Sequence, residues 1–370
     1  MRIALVHPYP WPEVRRGAER YLDDLARYLS GRGHEVEVIT GTHGPGGVEI
    51  TGEGVTVRRR PHILAHRGGR LGIGAVETFG ARAVRPLRES RPDVVHGFTP
   101  SGALAGRLAG RPTVYSVLGH PHREQLPGPL IPRRLFQAAV RAATVTAVLS
   151  GTSADALRES LGRDALVLPP GVRLEEFPVR EEPRRGPPVV LFSASLEDRR
   201  KRADLAVAMF GRVLAVHPEA RLQLSGQGDP GWALADATPS VRAAVDIPGP
   251  GRPGEIPGRY RAATVTVLPA EHEAFGLALV ESLASGTPVV ATESGGMPEI
   301  AGNRAVGRVA RADPESLAGA VLEAIVLAAG PETPRRCARE AIRWGWEETV
   351  GPAHEDLYRK MAGALLEAAR

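Results

Sequence analysis

The chain has 370 residues, 42% of them hydrophobic and 5% aromatic, with a formal net charge of +5, a length that predicts two domains rather than one core. No apolar run reaches the roughly 18 residues of a membrane span, and MRIALVHPYP, whose apolar run stops at Val6 before Pro8 and Pro10, reads as a buried strand rather than a signal peptide. The single cysteine, Cys337, excludes internal disulfides and a cysteine-based metal cluster, so a cytoplasmic protein is expected. Charge is uneven: residues 1–180 carry 25 arginines against 17 acids, and Lys201 and Lys360 are the only lysines of the chain. Such a basic half suits a solvated face, an anionic acceptor or a weak peripheral membrane contact. Nucleic acid is not expected, because no basic-aromatic stripe occurs.

In chain order, RIALVH reads as a strand and GAERYLDDLARYLSGRG as a helix, with Tyr21, Leu22, Leu25, Tyr28 and Leu29 on one face. The strands HEVEVIT, PDVVHG, RPTVYSV and TVTAVLS follow, and ALVLPPGV closes the first series. LEEFPVREEPRRGPP, residues 174–188, is charged and proline-rich without periodicity, the composition of a linker. A second series then runs VVLFSAS, a helix near ADLAVAMFGRVLAVH, ARLQLSG, AVDIPG, TVTVLPA, the helix GLALVESLASG, and PVVAT; WGWEETVGPAHEDLYRKMAGALLEAAR reads as amphipathic helix. The alternation predicts an α/β chain of two Rossmann-like, doubly wound domains, 1–173 and 189–345, facing each other across a cleft. Residues 346–370 are expected to pack back towards the first domain. Ligands in such folds bind outside the carboxyl ends of the strands, so a site between the halves is expected.

Within EHEAFGLALVESLASG, Glu273 and Glu281 stand with seven residues between them. Gly276 falls at the start of the helix, whose unpaired N–H groups and positive dipole end suit a phosphate. A glutamate in the loop can accept hydrogen bonds from sugar hydroxyls, and one a turn into the helix can hold vicinal ribose hydroxyls. Capping by Glu273 and simple exposure of Glu281 are the plainer alternatives. Gly17 is equally readable as a turn glycine, and DRRKR around Lys201 as a solvated charge run. His120, His122 and Glu124 invite a metal, but the proline between the histidines and the lack of a third spaced ligand argue against one. No GxGxxG follows the first strand, which argues against a nicotinamide-dependent oxidoreductase.

The acid pair in LPAEHEAFGLALVESLASGTPVVATESGGMPEI resembles the hallmark of the retaining GT-B glycosyltransferases of family GT4, and the likeness extends over nearly the whole chain. RRGAERYLDDLARYLSGRGHEVEVIT is similar to that family's opening loop and helix, VDIPGPGRPGEIPGRYRAATVTVLPA to its base-binding segment, and WGWEETVGPAHEDLYRKM to its C-terminal stretch. The resemblance implies transfer of a sugar from a UDP- or GDP-sugar to an unidentified acceptor hydroxyl, with no metal or other cofactor required. It implies catalytic roles for Glu273, Lys201 and His120: contact with the donor sugar's hydroxyls, neutralisation of the diphosphate, and a place near the reacting carbon. Glu281 would hold the ribose, and Ala274, Phe275, Gly276 and Leu277 would present amides to sugar and diphosphate. Gly226, Pro250, Gly251 and Arg252 would border the nucleotide, and Gly17 would face the diphosphate. The chain departs from the family in two places: Arg16 replaces the first of two adjacent glycines, and Ser195 stands where an arginine is usual. A serine cannot supply a bidentate fork, so Lys201 with Arg199, Arg200 or Arg202 is expected to meet the diphosphate's charge. A non-catalytic nucleotide-sugar-binding protein and a same-fold epimerase are the alternatives. Acceptor choice would lie in PHILAHRGGRLGIGAVETFG and GHPHREQLPGPLIPRR, whose arginines suit an anionic or polyhydroxylated molecule, such as a natural-product or glycoconjugate intermediate.

Overall fold

A computed structural model describes residues 1–64, 73–121 and 130–368; His122, Glu124 and parts of both acceptor-loop candidates lie outside them. The chain divides into two compact units, Met1–Gly171 with Trp346–Arg370, and Val172–Gly345.

The first unit is built on eight strands: β1 (Arg2–His7), β2 (Glu35–Thr42), β3 (Gly47–Ile50), β4 (Thr56–Pro61), β5 (Val94–Gly97), β6 (Thr113–Val117), β7 (Val145–Val148) and β8 (Leu166–Val167). Their order is β3-β4-β2-β1-β5-β6-β7-β8, parallel throughout except for the β3–β4 edge pair. The central strand β1 carries a continuous apolar run, as a strand of a parallel sheet covered on both faces does; Ile3 to Val6 are at most 1% exposed. Strand order reverses between β1 and β5, where such sheets open a crevice beyond the strand ends. The helix Gly17–Gly31 buries Tyr21, Leu22, Leu25, Tyr28 and Leu29 as its spacing predicts, and buries Glu19 and Asp24 as well.

The C-terminal segment is not one helix. A 3-10 turn at Ile342–Trp344 and a π turn at Trp346–Val350 precede the helix Gly351–Ala368. The reason is the burial of Trp346, 2% exposed, whose ring stacks on Tyr28 at 6.1 Å. At Gly351 the chain approaches so closely that a Cβ would lie 2.2 Å from the Tyr28 ring. Beyond it, a buried polar network ties the helix to the sheet. His354 Nδ1 is 2.7 Å from the Val350 carbonyl; a carbonyl only accepts, so Nδ1 carries the proton and Nε2 accepts from the Tyr21 hydroxyl at 2.7 Å. His96 bridges Tyr358 at 2.6 Å and Ser116 at 2.7 Å.

Burial lowers the His354 pKa to about 4, against a smaller opposing pull from the Val350 carbonyl. Burial, with His354 nearby, drives His96 well below its ordinary value too. In the unfolded chain both recover the ordinary value near 6.5. A depressed histidine pKa means that the unfolded state binds more protons below about 6.5, so stability is full above that pH and is lost as pH falls towards the folded values. His354 alone then removes about 2 kcal/mol between pH 6.5 and 5. Melting temperatures across that window should fall steeply in the parent and less steeply in His354→Gln; parallel slopes would refute the assignment.

The second unit carries β9 (Val189–Ser193), β10 (Arg221–Ser225), β11 (Val245–Asp246), β12 (Val265–Leu268), β13 (Val289–Thr292) and β14 (Gly307–Ala310). All are parallel, in the order β11-β10-β9-β12-β13-β14. This is the doubly wound 3-2-1-4-5-6 arrangement, with its reversal between β9 and β12. Its core joins Val190, Phe192, Leu222, Leu224, Val265 and Val267 of the sheet to Phe210, Leu317 and Val321 of the flanking helices. The proline-rich stretch 174–188 belongs to this unit: Phe177 is buried, and Arg180 donates to the Ala263 carbonyl at 2.7 Å and to the Thr287 hydroxyl. Among the described residues, no single helix is long and apolar enough to cross a membrane.

Candidate active site

The loops leaving β9 and β12 meet where strand order reverses in the second unit. After β9 the chain turns through Asp198, whose carboxylate caps the 3-10 turn Arg199–Lys201 by accepting from the Arg200 amide. That turn aims Lys201 Nζ at Glu273 Oε2, 2.5 Å away, with both side chains about one-fifth exposed, 21% and 18%. The loop carrying Glu273 is held on three sides. Glu271 N–H donates to the Arg200 carbonyl at 2.7 Å, His272 N–H to Ser294 Oγ at 2.7 Å, and Gly296 N–H to the Glu273 carbonyl at 2.8 Å. His272 takes a φ of 53°, rare for a residue with a side chain and sustained here by those bonds.

The helix Leu277–Ala284 starts immediately after this loop, from Gly276 at φ 107°, a left-handed conformation that glycine adopts without strain. Ala274 and Phe275 are buried, and Phe275 meets Trp344 edge-on at 6.3 Å. Glu281 points inward and is 6% exposed. Its Oε2 accepts from the Tyr260 hydroxyl at 2.8 Å, and the same hydroxyl lies 3.1 Å from Ser193 Oγ at the end of β9. Simple exposure, the plainer alternative for Glu281, is therefore wrong.

The arginines beside Lys201 are largely committed. Arg200 forks onto Asp198 at 2.6 and 3.1 Å, and Arg202 pairs with Asp204 and Glu271. Arg199 lies over the Trp232 ring at 4.9 Å and has no acidic partner among the described residues. Ser195 Oγ accepts from the Glu197 amide at 3.3 Å. Gly226 packs against the Ala194 carbonyl, too close for any Cβ. Pro250, Gly251 and Arg252 form a loop held by Arg259, which donates to Ser225 Oγ at 2.6 Å and to the Gly249 carbonyl at 2.5 Å.

Arg16, Gly17 and His120 belong to the first unit, beyond the reversal between β1 and β5. Gly17 opens the helix Gly17–Gly31, with Arg16 at its N-cap. Arg16 and His120 line one cavity of about 490 Å³. Arg16 Nη2 donates to Glu19 Oε1 at 2.6 Å, and His120 Nδ1 is 3.1 Å from Ser153 Oγ. Among the described residues no group of three or more His, Cys, Asp or Glu side chains suited to a metal occurs.

Residues 15–176 match the family described as Glycosyltransferase Family 4, and residues 187–326 match Glycosyl transferases group 1. A D-inositol 3-phosphate glycosyltransferase from Nocardiopsis dassonvillei is 31% identical over 93% of this chain and 89% of its own length. The chain belongs to glycosyltransferase family 4. It is a glycosyltransferase of the GT-B fold, a fold shared with two solved structures. Sucrose-phosphate synthase from Thermosynechococcus elongatus superposes with a TM-score of 0.82 at 19% identity, covering 98% of this chain and 99% of that one. HepE from Anabaena, solved in complex with UDP-glucose, gives 0.69 at 17% identity, covering 99% and 100%.

Several residues that shape this candidate site leave little trace in the sequence pattern. Tyr260 carried no signal, because the hydroxyl that reaches Glu281 comes from a helix 21 residues away. Ser294, Gly295 and Gly296 did carry one, a Ser-Gly-Gly turn directly after a strand, where loops hold sites. Glu19 looked like an ordinary acid in a first helical turn.

Proposed function

We propose that the chain is a retaining, metal-independent glycosyltransferase that moves a sugar from a UDP- or GDP-sugar to an acceptor hydroxyl. The observation that carries this reading is the Lys201–Glu273 pair at the strand-order reversal, beside the start of the helix Leu277–Ala284. Negative charge builds on the leaving diphosphate as the anomeric C–O bond breaks. Fixed positive charge placed in advance lowers that barrier without reorganisation. Lys201 supplies a full charge, and the N–H groups at the start of the helix Leu277–Ala284 supply its partial charge; together they take the part that a metal plays elsewhere. Arg199, unpaired with any acid among the described residues, is the further cation proposed in place of the arginine absent at Ser195.

Glu273 accepts hydrogen bonds from the donor sugar's hydroxyls, and Glu281, braced by Tyr260, accepts from the ribose. The base lies along Pro250, Gly251 and Arg252, next to Gly226. In the first unit Gly17 faces the diphosphate and His120 the reacting carbon, while Arg16 stays paired with Glu19. The new bond forms on the face that the diphosphate leaves, and a departing phosphate oxygen takes the acceptor's proton, so configuration is kept. The donor assignment draws support from HepE, of the same fold and solved with UDP-glucose.

Thermal shift with UDP, GDP, ADP and dTDP tests the donor site: one nucleotide should raise the melting temperature, and Glu281→Ala should abolish the rise. No shift with any of them would refute the reading. Turnover should persist in EDTA, and the product's anomeric proton should keep the donor's coupling pattern; loss in EDTA or an inverted anomer would overturn the corresponding half of the proposal.

A further inference from the structure

The cavity of the first unit has a chemistry that narrows the acceptor. Its volume of about 490 Å³ suits a small molecule. Tyr9, Val76, Phe98, Tyr115 and Phe136 line much of it, and such aromatic and apolar side chains favour an aromatic or apolar body. The polar groups are few and specific. Glu19 is 1% exposed; its Oε1 is taken by Arg16, while its Oε2 is buried with no hydrogen-bond partner. An orphaned buried carboxylate oxygen is costly and rare, and one on a cavity wall calls for a donor from a ligand.

The same wall is hostile to anions. Arg16 is its only arginine or lysine among the described residues, and that guanidinium is already paired with Glu19 and stacked over Tyr9 at 5.1 Å. Burial lowers the pKa of His7, the other basic group near Glu19, against that carboxylate's opposing pull. Among the described residues, a phosphate here would meet an unpaired carboxylate oxygen and no uncommitted guanidinium.

We infer that this cavity takes an uncharged acceptor with an aromatic or apolar body and a hydroxyl that donates to Glu19 Oε2. It excludes phosphorylated cyclitols of the kind for which the Nocardiopsis relative is named. The inference rests on the glycosyl-transfer reading, with the cavity as the acceptor's place.

Calorimetric titration of the full chain without donor tests it, using 4-nitrophenyl β-D-glucopyranoside and D-inositol 3-phosphate as probes. The aryl glycoside should bind at least tenfold more tightly. Glu19→Met removes the orphaned oxygen and releases Arg16, so it should weaken the aryl glycoside at least tenfold and strengthen the inositol phosphate. Phe136→Ala, on a partly exposed helix face, should weaken only the aryl glycoside; it decides the matter if Glu19→Met does not fold. Equal or tighter binding of the inositol phosphate by the parent, no binding of either probe at millimolar concentration, or variants that change neither affinity would each overturn the inference. UDP titrated in parallel separates the two readings: UDP bound with the aryl glycoside rejected sinks only the acceptor inference, and the reverse sinks only the donor site.

Discussion

Lys201→Ala is expected to lower kcat with a UDP- or GDP-sugar by about 10²–10³, the scale on which removing one preorganised stabilising group acts. Two effects act together. The ammonium proposed to face the leaving diphosphate is lost, and Glu273, held against Lys201 in the parent, is left as an uncompensated carboxylate where the proposed mechanism builds negative charge. The second effect makes a further test available. Glu273→Gln in the Lys201→Ala background should cost less than the same change in the parent, because the repelling charge is then absent. Initial rates of nucleotide release measure all four proteins. A Lys201→Ala rate within threefold of the parent would sink the proposed role. Strictly additive losses would show that the pair does not act as a unit.

Gly295→Ala should lower kcat about 100-fold while the protein stays folded. The residue touches no proposed substrate, so the effect must act through Glu273. Gly295 sits at φ 59°, and a Cβ there would lie 1.8 Å from the Glu273 carbonyl oxygen. Neither conflict can be relieved without moving the loop that aims Glu273 at Lys201, and a displacement near 1 Å is enough to cost about 10²-fold in rate. Gly319→Ala is the matched control. It lies in the helix Pro314–Ala328 with open space where a Cβ would go, and it should leave kcat unchanged while stabilising the helix by up to about 1 kcal/mol. Equal kcat for Gly295→Ala and the parent would remove the Ser-Gly-Gly turn from the site.

Most of the fold was legible in the residues themselves. Short apolar runs bounded by proline and glycine marked the strands, and the periodic face from Tyr21 to Leu29 marked the first long helix, because both patterns are local and repeat with the period of the element. The C-terminal segment departs from that local pattern. Its apolar spacing is helical, but burial of Trp346 against Tyr28 imposes a 3-10 turn and a π turn before the helix can begin, and that contact lies some three hundred residues away along the chain.

The site divides along the same line. Glu273, Gly276 and Glu281 were readable because a strand, a loop and a helix start follow one another within a dozen residues. The sequence alone could not say that Lys201 would meet Glu273 across 72 residues, that Arg200 and Arg202 would be committed to Asp198, Asp204 and Glu271, or that Glu281 would turn onto Tyr260. Periodicity reports which face of an element is apolar, whereas a charge's partner depends on which loops the strand order brings together. The placement of β9 beside β12 pairs Lys201 with Glu273, and the packing of the helix Gly17–Gly31 buries Glu19 with one oxygen unsatisfied. Residue types and spacing thus determined the family and the chemistry on offer, and the tertiary structure decided which of those charges remain available to a substrate.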